Sequence, residues 1–243
     1  MRISIIIPCK NEAGIVESLL DSLVRQTRQA DEIIVVDSHC TDDTVARVKE
    51  YNKKLPLRVT AAVQKGPAHA RNHGASKATG DMLVFVDADL TFPKHFLQNF
   101  EKQINEKHFQ AGSFTQIMQS DKLSIRAGSR FMNGYMYLMQ HTPWPIGFSC
   151  MYITRTAFNA VHGFDTDLYL MEDYDLMLKA KRAGCAVNII KIAYFASDRR
   201  YQNSSLRQAL KGVYGELYRY THGLRVTKPI YEYKMGGQSD RQK

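Results

Sequence analysis

The alternation of short apolar runs with helix-like segments constrains the fold of this chain more than any other feature. Residues 3–7 are apolar on both faces and the run stops at Pro8, which is typical of a buried parallel strand. Helical spacing follows, with apolar residues at Ile15, Leu19, Leu20 and Leu23. Further strand-like runs lie at 32–37, 57–63 and 81–86. This pattern predicts an α/β fold whose first ~105 residues form a parallel, doubly wound sheet with right-handed crossovers.

The second half of the chain alternates less regularly. Strands are expected at 148–153 and 187–193, and helices at 156–161 and 174–183, the last ending before a glycine. One helical face near the C-terminus collects apolar and aromatic residues at Leu206, Leu210, Val213, Tyr214, Leu217, Tyr218 and Thr221. Such a stripe favours packing against the core, and a helix lying at an anionic membrane interface is the alternative.

Polar residues follow three of the predicted strands where each strand ends. These segments are Pro8-Cys9-Lys10-Asn11-Glu12, Asp37-Ser38-His39 and Asp87-Ala88-Asp89. Ligands of open parallel sheets bind beyond the carboxyl ends of the strands, so we expect the three segments to converge. Mg²⁺ and Mn²⁺ prefer carboxylate oxygens combined with substrate phosphates. Asp87 and Asp89 are therefore a candidate metal site, with capping of the helix that starts near Pro93 as the alternative interpretation.

Several blocks of sequence occur in an order and spacing that is specific when they are taken together. They are Ser4-Ile5-Ile6-Ile7-Pro8-Cys9-Lys10-Asn11-Glu12, Val35-Val36-Asp37-Ser38, Ala70-Arg71-Asn72-His73-Gly74-Ala75, Leu83-Val84-Phe85-Val86-Asp87-Ala88-Asp89, and Gly163-Phe164-Asp165 before Glu172-Asp173. Across residues 3 to about 184 the chain thus resembles the family 2 glycosyltransferases. The resemblance implies a GT-A fold, nucleotide-diphospho-sugar transferase-like, with a mostly parallel central sheet flanked by helices. It also implies a nucleotide-sugar donor and inversion at the anomeric carbon.

The resemblance implies a role for each matching residue at the donor site. The expected nucleotide-sugar-binding residues are Pro8, Asn11, Glu12, Asp37, Arg71, Asp87, Ala88, Arg199 and Arg200. Asp37 is expected to face the base, and Asp87 the ribose or sugar. Asp89, together with Asp87, is expected to bind the Mn²⁺ or Mg²⁺ cofactor that bridges the diphosphate.

Asp173 is the residue that the resemblance assigns as general base, with Glu172 orienting the base or the acceptor. Inverting transfer needs one base to deprotonate the attacking hydroxyl. Asp173 opens a predicted helix, where a carboxylate is also favourable as a partner of the helix dipole. Further carboxylates surround it in sequence, at Asp165, Asp167 and Asp175. This clustering favours the catalytic interpretation.

Arg199 and Arg200 follow the last predicted strand, and paired arginines can bind a diphosphate. We expect one of them to close over the leaving diphosphate, and a surface charge run is the alternative. The chain departs from its relatives after the second strand, where His39 and Cys40 replace the usual Gly-Ser. It also lacks the QxxRW motif of processive polymer synthases, which predicts transfer of a single sugar.

We expect a GT-A domain at 1–200, and the helical spacing and polar composition of the rest predict an amphipathic helical extension at 201–235 and a disordered tail at 236–243. The net charge is +9 and is concentrated toward the C-terminus, which suits partners that bear phosphate. The expected partners are the donor and a glycan, glycolipid or polyprenyl-phosphate acceptor in cell-envelope synthesis, with peripheral contact to an anionic membrane. A nucleic-acid partner is not expected. The four cysteines form no CxxC pair, and with no leader or membrane span recognised the expected location is the cytoplasm.

Two other classes of protein compete with this prediction. A non-enzymatic protein that binds membrane or nucleic acid would explain the positive charge but not the acidic strand ends, because carboxylates repel phosphate unless a metal intervenes. A sugar nucleotidyltransferase would share the sheet but should carry a Gly-rich, Arg-bearing loop after the first strand. That segment of the chain instead begins Pro8-Cys9-Lys10.

Overall fold

The computed structural model describes residues 1–199, 201 and 205–231, except for the side chains of 205–209. The predicted site residue Arg200 and the predicted tail 236–243 lie outside this part of the chain. The described residues form one mixed sheet with strand order β3-β2-β1-β4-β7-β6-β8-β5. Its strands are β1 (Ile3–Cys9), β2 (Glu32–Asp37), β3 (Leu57–Ala61), β4 (Met82–Val86), β5 (Leu90–Thr91), β6 (Ala111–Gln119), β7 (Cys150–Thr154) and β8 (Val187–Ser197).

The first four strands confirm the predicted parallel half of the sheet, because β2 pairs with β3, and β1 pairs with both β2 and β4, all in parallel. Helices α1 (Val16–Val24), α2 (Thr44–Lys49), α3 (Pro67–Lys77) and α4 (Phe96–Lys107) connect and flank them. Successive side chains of β1 point to opposite faces, so Ile5 and Ile7 join one hydrophobic cluster while Ile6 joins the other. Both faces of these strands are therefore buried, which explains their unbroken apolar sequence.

The other half of the sheet is mixed. Strand β7 runs antiparallel to β4 and β6, β6 is parallel to β8, and β5 is antiparallel to β8. The α/β class with helices flanking a central sheet is confirmed. The remaining helices are α5 (Leu123–Met139), α6 (Arg155–Ala160), α7 (Glu172–Arg182) and α8 (Ser205–Thr221).

The apolar stripe of helix α8 does not pack against the core as expected. The packing interpretation of its apolar stripe is wrong for Leu210, Val213, Tyr214 and Leu217, which are exposed. The side that faces the protein instead carries Arg219, which is 1% exposed. The guanidinium of Arg219 lies over the ring of Tyr174 of α7, 5.2 Å from its centroid, so this side of α8 faces the body of the protein.

Candidate active site

A cavity of about 730 Å³ opens at the carboxyl ends of β1 and β4. One side is formed by strand-end residues, among them Pro8, Glu12 and Asp89, and the opposite side by the start of α7. This is the position at which open α/β sheets bind ligands. The convergence of strand ends expected from the sequence is therefore confirmed for the segments that follow β1 and β4, and Ser38 of the segment after β2 also lines the cavity.

The segment Asp87-Ala88-Asp89 is fixed at both ends by the sheet. The buried strand β4 leads into it, and the amide of Asp87 donates to the carbonyl of Ser149 at 3.2 Å. Immediately after it, Leu90 pairs with Ala196 of β8. The two carboxylates are thereby held at the cavity wall on a short, constrained turn.

Arg71 is a buried cation that links two parts of the site. It lies on α3, is 5% exposed, and donates to Asp87 Oδ1 at 2.9 Å and to Glu172 Oε1 at 2.5 Å. Its guanidinium also lies over the ring of Phe164, 5.5 Å from the centroid. Burial lowers the pKa of Arg71, but Asp87 and Glu172 outweigh this and raise it above the ordinary value. Arg71 therefore ties the end of β4 to the start of α7.

Asp173 has the most perturbed carboxyl at the site. Its pKa is raised to about 8, first by desolvation and then by the like charge of Glu172, and Arg71 opposes this rise. The Tyr174 amide donates to Asp173 Oδ1 at 2.9 Å. Helix α7 begins directly after Met171, which has a left-handed φ of 64°. A carboxyl with a pKa near neutrality that faces a cavity is suited to proton transfer.

The backbone of Asp173 is set by a close approach of Gly147. A Cβ at position 147 would lie 2.4 Å from the carbonyl oxygen of Asp173. Real Cβ atoms do not come so close to backbone, so glycine is required there for packing rather than for its dihedral angles. Gly147 therefore positions the first turn of α7.

Arg199 lies directly beyond β8 and bridges the two other carboxylates of the site. Its Nη1 lies 2.9 Å from Glu12 Oε2, and its Nη2 lies 3.1 Å from Asp89 Oδ2. The side chains of Glu12 and Asp89 are 8% and 11% exposed. A guanidinium thus neutralises the carboxylate that the sequence assigns to a metal ion.

The carboxylates of the cavity suit a metal ion whose other ligands come from a bound substrate. Among the described residues no group of three or more His, Cys, Asp and Glu side chains is arranged to bind a metal ion. Asp87 and Asp89 supply hard oxygen donors, and Asp89 is paired with a cationic group here. One or two carboxylates completed by phosphate oxygens are the usual ligands of Mg²⁺ in nucleotide-binding sites. The residues present therefore fit Mg²⁺ or Mn²⁺ bound together with a diphosphate.

Most of the predicted site residues meet at the cavity, which is lined by Pro8, Glu12, Arg71, Asp87, Ala88, Asp89, Glu172 and Asp173. Arg199 contacts two of them. Asn11 and Asp37 instead order the neighbouring loop, since Asn11 Oδ1 accepts from the Thr41 amide at 2.8 Å and Asp37 Oδ1 from the Cys40 amide at 2.7 Å. Their assignment to the nucleotide stays a prediction.

The loop after β2 contains His39, which stands where relatives usually have glycine. His39 has a φ of 62°, in the left-handed region that favours glycine. The backbone there therefore has the conformation that a glycine would adopt easily. The carbonyl of His39 accepts from the Lys10 ammonium.

Sequence reasoning missed several residues of the cavity wall. Lys65 and His69 line it from the start of α3, and Tyr169 and Tyr231 line it from the opposite side. The hydroxyl of Tyr169 donates to the carbonyl of Tyr231 at 3.4 Å. No periodic pattern marks these residues, because they lie at the start of a helix or in loops that the fold alone brings together.

The chain is similar to several known proteins. Residues 4–161 match the family described as "Glycosyl transferase family 2". The glycosyltransferase YwdF of Bacillus subtilis, which is uncharacterized, is 29% identical over 238 residues, covering 92% of this chain and 85% of that protein. The poly(ribitol-phosphate) beta-N-acetylglucosaminyltransferase TarS of Staphylococcus aureus is 34% identical over 112 residues, or 44% of this chain. The match spans only 20% of the length of TarS.

Two solved structures share the fold. S. aureus TarS residues 1–349 in complex with UDP-GlcNAc superposes with a TM-score of 0.68 at 22% identity, covering 81% of this chain and 58% of that one. The mannosyltransferase PcManGT of Pyrobaculum calidifontis, in complex with GDP-Man and Mn²⁺, also gives a TM-score of 0.68, at 26% identity, with 80% and 56% covered.

Proposed function

This chain belongs to glycosyl transferase family 2, and on that premise we propose that it moves a single sugar from a UDP- or GDP-sugar to a cell-envelope acceptor, with inversion. The acceptor group is a hydroxyl or a lipid phosphate of a glycan or glycolipid. One observation carries the proposal: the carboxyl of Asp173, with a pKa raised to about 8, faces the same cavity as Asp87 and Asp89.

The proposed reaction begins with the acceptor hydroxyl beside Asp173. The hydroxyl oxygen attacks the anomeric carbon while Asp173 takes its proton, and the bond between that carbon and the diphosphate oxygen breaks. A pKa near 8 makes the carboxylate a stronger base than an ordinary aspartate, although a smaller fraction is ionised at neutral pH. Glu172, fixed by Arg71, keeps this base in place and raises its pKa.

The departing diphosphate gathers negative charge, which the site must stabilise. A divalent cation bound by Asp89 and Asp87 supplies that charge stabilisation when it is present. Arg199 would assist, because its guanidinium already lies against Asp89. The guanidinium of Arg71 is already paired with Asp87 and Glu172. We therefore assign Arg71 to positioning these two carboxylates and not to direct neutralisation of the leaving group.

The choice of donor follows the relatives. Neighbouring structures contain UDP-GlcNAc or GDP-Man, and named relatives transfer N-acetylglucosamine or glucose to poly(ribitol-phosphate). A uridine or guanosine diphosphate sugar is therefore the donor class to test first.

The test is a thermal-shift screen of UDP-, GDP-, CMP- and dTDP-sugars with and without Mn²⁺, followed by a transfer assay. A donor at 100 times its Kd should stabilise the protein by about 2.7 kcal/mol. We expect Asp89→Asn to lose the Mn²⁺-dependent part of this shift, and Asp173→Asn to keep donor binding but lose transfer. Asp167→Asn is the matched control, since Asp167 is an exposed carboxylate. No shift with any donor, or full transfer by Asp173→Asn, would refute the proposal.

A further inference from the structure

Helix α8 presents its apolar side to solvent. Leu210, Val213, Tyr214, Leu217 and Tyr220 recur at helical spacing and are all exposed, with Leu217 at 61%. Soluble helices bury such a stripe. Its exposure here needs an explanation beyond the folding of the described chain, because exposed apolar patches of this kind mark interaction surfaces.

The opposite side of α8 packs against the body of the protein. Arg219 is buried, lies 5.2 Å from the ring centroid of Tyr174 and pairs with Glu216 at 3.0 Å. Gly215 packs closely against Met171. The contacts with Tyr174 and Met171 place this side of the helix against the protein, so the apolar stripe points outward.

Helix α5 and the loop after it extend the same surface. Phe131 and Leu138 of α5 are 76% and 67% exposed. The ring of Trp144 lies edge-on to the ring of Tyr220, with 6.4 Å between centroids, and the hydroxyls of Tyr135 and Tyr220 are 3.4 Å apart. We call the exposed apolar side chains of α5, Trp144 and α8 the apolar face. It combines leucines with aromatic side chains, the composition that favours the membrane interface.

The charge around the apolar face is positive. Segments 122–144 and 205–231 contain eight Lys and Arg residues and one acidic residue, Glu216. Two of the eight do not contribute to the face, because Arg219 is buried and pairs with Glu216, and Arg225 pairs with Asp165. Arg126 and Arg130 are exposed on α5 beside the apolar side chains. In a two-fold dimer built on this face the same cations would meet across the interface and repel each other. An anionic lipid surface is instead complementary to both the charge and the apolar side chains.

We propose that the apolar face docks onto an anionic lipid surface. This inference goes beyond the proposed transferase function and does not depend on it. The inner side of α8 lies next to the cavity. Tyr231 lines the cavity, and the ammonium of Lys211 on α8 lies 5.2 Å from the centroid of the Tyr231 ring. Docking would therefore bring the Asp173 end of the cavity to within about the diameter of one helix, roughly 10 Å, of the lipid headgroups.

The first experiment measures binding to sedimented vesicles of phosphatidylcholine with or without 30% phosphatidylglycerol. We expect binding to the anionic vesicles, weakened at 0.5 M salt. Leu217→Glu should weaken it more than tenfold, since docking would bury the exposed Leu217 in the lipid and the variant replaces it with a charge. Val63→Glu is the matched control: Val63 is 80% exposed, follows the edge strand β3, and should change binding less than twofold.

A second pair of variants tests the charges. Arg126→Ala with Arg130→Ala should weaken binding about fivefold for each residue. Lys49→Ala with Lys53→Ala, beside the edge strand β3 and away from β6 and α5, should not. Thermal unfolding of each variant checks that it folds. Failure of the wild type to bind anionic vesicles, or equal binding by Leu217→Glu, overturns the inference. So does a wild-type dimer in sedimentation velocity that Leu217→Glu converts to monomer.

The vesicle-binding test and the test of the proposed function can fail independently of each other. Donor-induced thermal shifts are measured on the same proteins without lipid. If the wild type shows a donor-induced thermal shift but does not bind vesicles, only the proposed docking of the apolar face is rejected. If it binds vesicles but shows no shift with any donor, only the proposed transferase function is rejected.

Discussion

The pKa of Asp173 gives the sharpest test of the proposed base. It is raised to about 8 by desolvation and then by the charge of Glu172. Glu172→Gln keeps the shape of the side chain and an oxygen that can accept from Arg71, but removes the negative charge. Arg71 is then left with one fewer ionised partner, which also favours ionised Asp173. The pKa of Asp173 should therefore fall in this variant.

The size of the effect follows from simple electrostatics. A group with a pKa of about 8 is roughly one-tenth ionised at pH 7. Removing a nearby like charge lowers a pKa by about one unit or more, and one unit is about 1.4 kcal/mol, the repulsion of two charges roughly 12 Å apart at an effective dielectric of about 20. Residues adjacent in the chain are closer than that. We expect about half of Asp173 to be ionised at pH 7 in the variant, a roughly fivefold gain in the active form.

The assay is the pH dependence of kcat/KM, which reports the ionisation of the free enzyme. For the wild type, kcat/KM should rise with pH and level off above pH 8, because the base acts when deprotonated. For Glu172→Gln the midpoint should move to lower pH by at least about one unit, whatever happens to the plateau. Asp167→Asn should leave the midpoint in place. A midpoint that stays near pH 8 or moves upward in Glu172→Gln would refute the assignment of Asp173 and Glu172.

Three further predictions concern the residues that position these carboxylates. Arg71→Met leaves its two carboxylate partners without their cation, so the free energy of unfolding should fall by about 3 kcal/mol in urea titrations at pH 7; a loss below about 1 kcal/mol would contradict the tie between β4 and α7. Arg199→Gln removes a competing cation, so Mn²⁺ should bind about tenfold more tightly in calorimetry without donor, and unchanged or weaker binding would argue against competition. Gly147→Ala displaces the backbone of Asp173, so kcat should fall more than tenfold with the donor-induced thermal shift retained. Gly128→Ala, where an added Cβ meets nothing within 4 Å, should be neutral.

The first half of the fold could be predicted because its signals are local. Apolar runs and helical spacing are enough to place β1, β2, β4 and the helices between them. Strand β6 and helix α5 escaped prediction. The central part of β6 is polar, and its hydrogen bonds come from a residue of α5. The backbone N–H of Gln116 donates to Asn133 Oδ1 at 3.0 Å, and Asn133 Nδ2 donates to the backbone carbonyl of Gln116 at 2.7 Å. Burial of such a strand depends on contacts that sequence periodicity does not record.

The same distinction applies to the site. Asp87 and Asp89 are predictable because a carboxylate pair directly after a buried strand must lie at the sheet edge. The partners of the arginines are not predictable from spacing, since Arg71 and Glu172 are 101 residues apart and Arg199 and Glu12 are 187 residues apart. Family resemblance pointed to both arginines, and only the fold shows that they bind carboxylates in this state.

The two arginines differ in a way that determines what each can do. The side chain of Arg71 is 7% exposed and is held by carboxylates on two elements and by Phe164, whereas that of Arg199 is 22% exposed and lies just past the end of β8. Removing Arg71 from its site would leave buried carboxylates uncompensated, which is costly. Arg199 can release Asp89 at little electrostatic cost if a divalent cation takes over that carboxylate and Arg199 keeps its pair with Glu12. The guanidinium would then be available to the diphosphate, so the exchange of one cation for another couples donor binding to completion of the site.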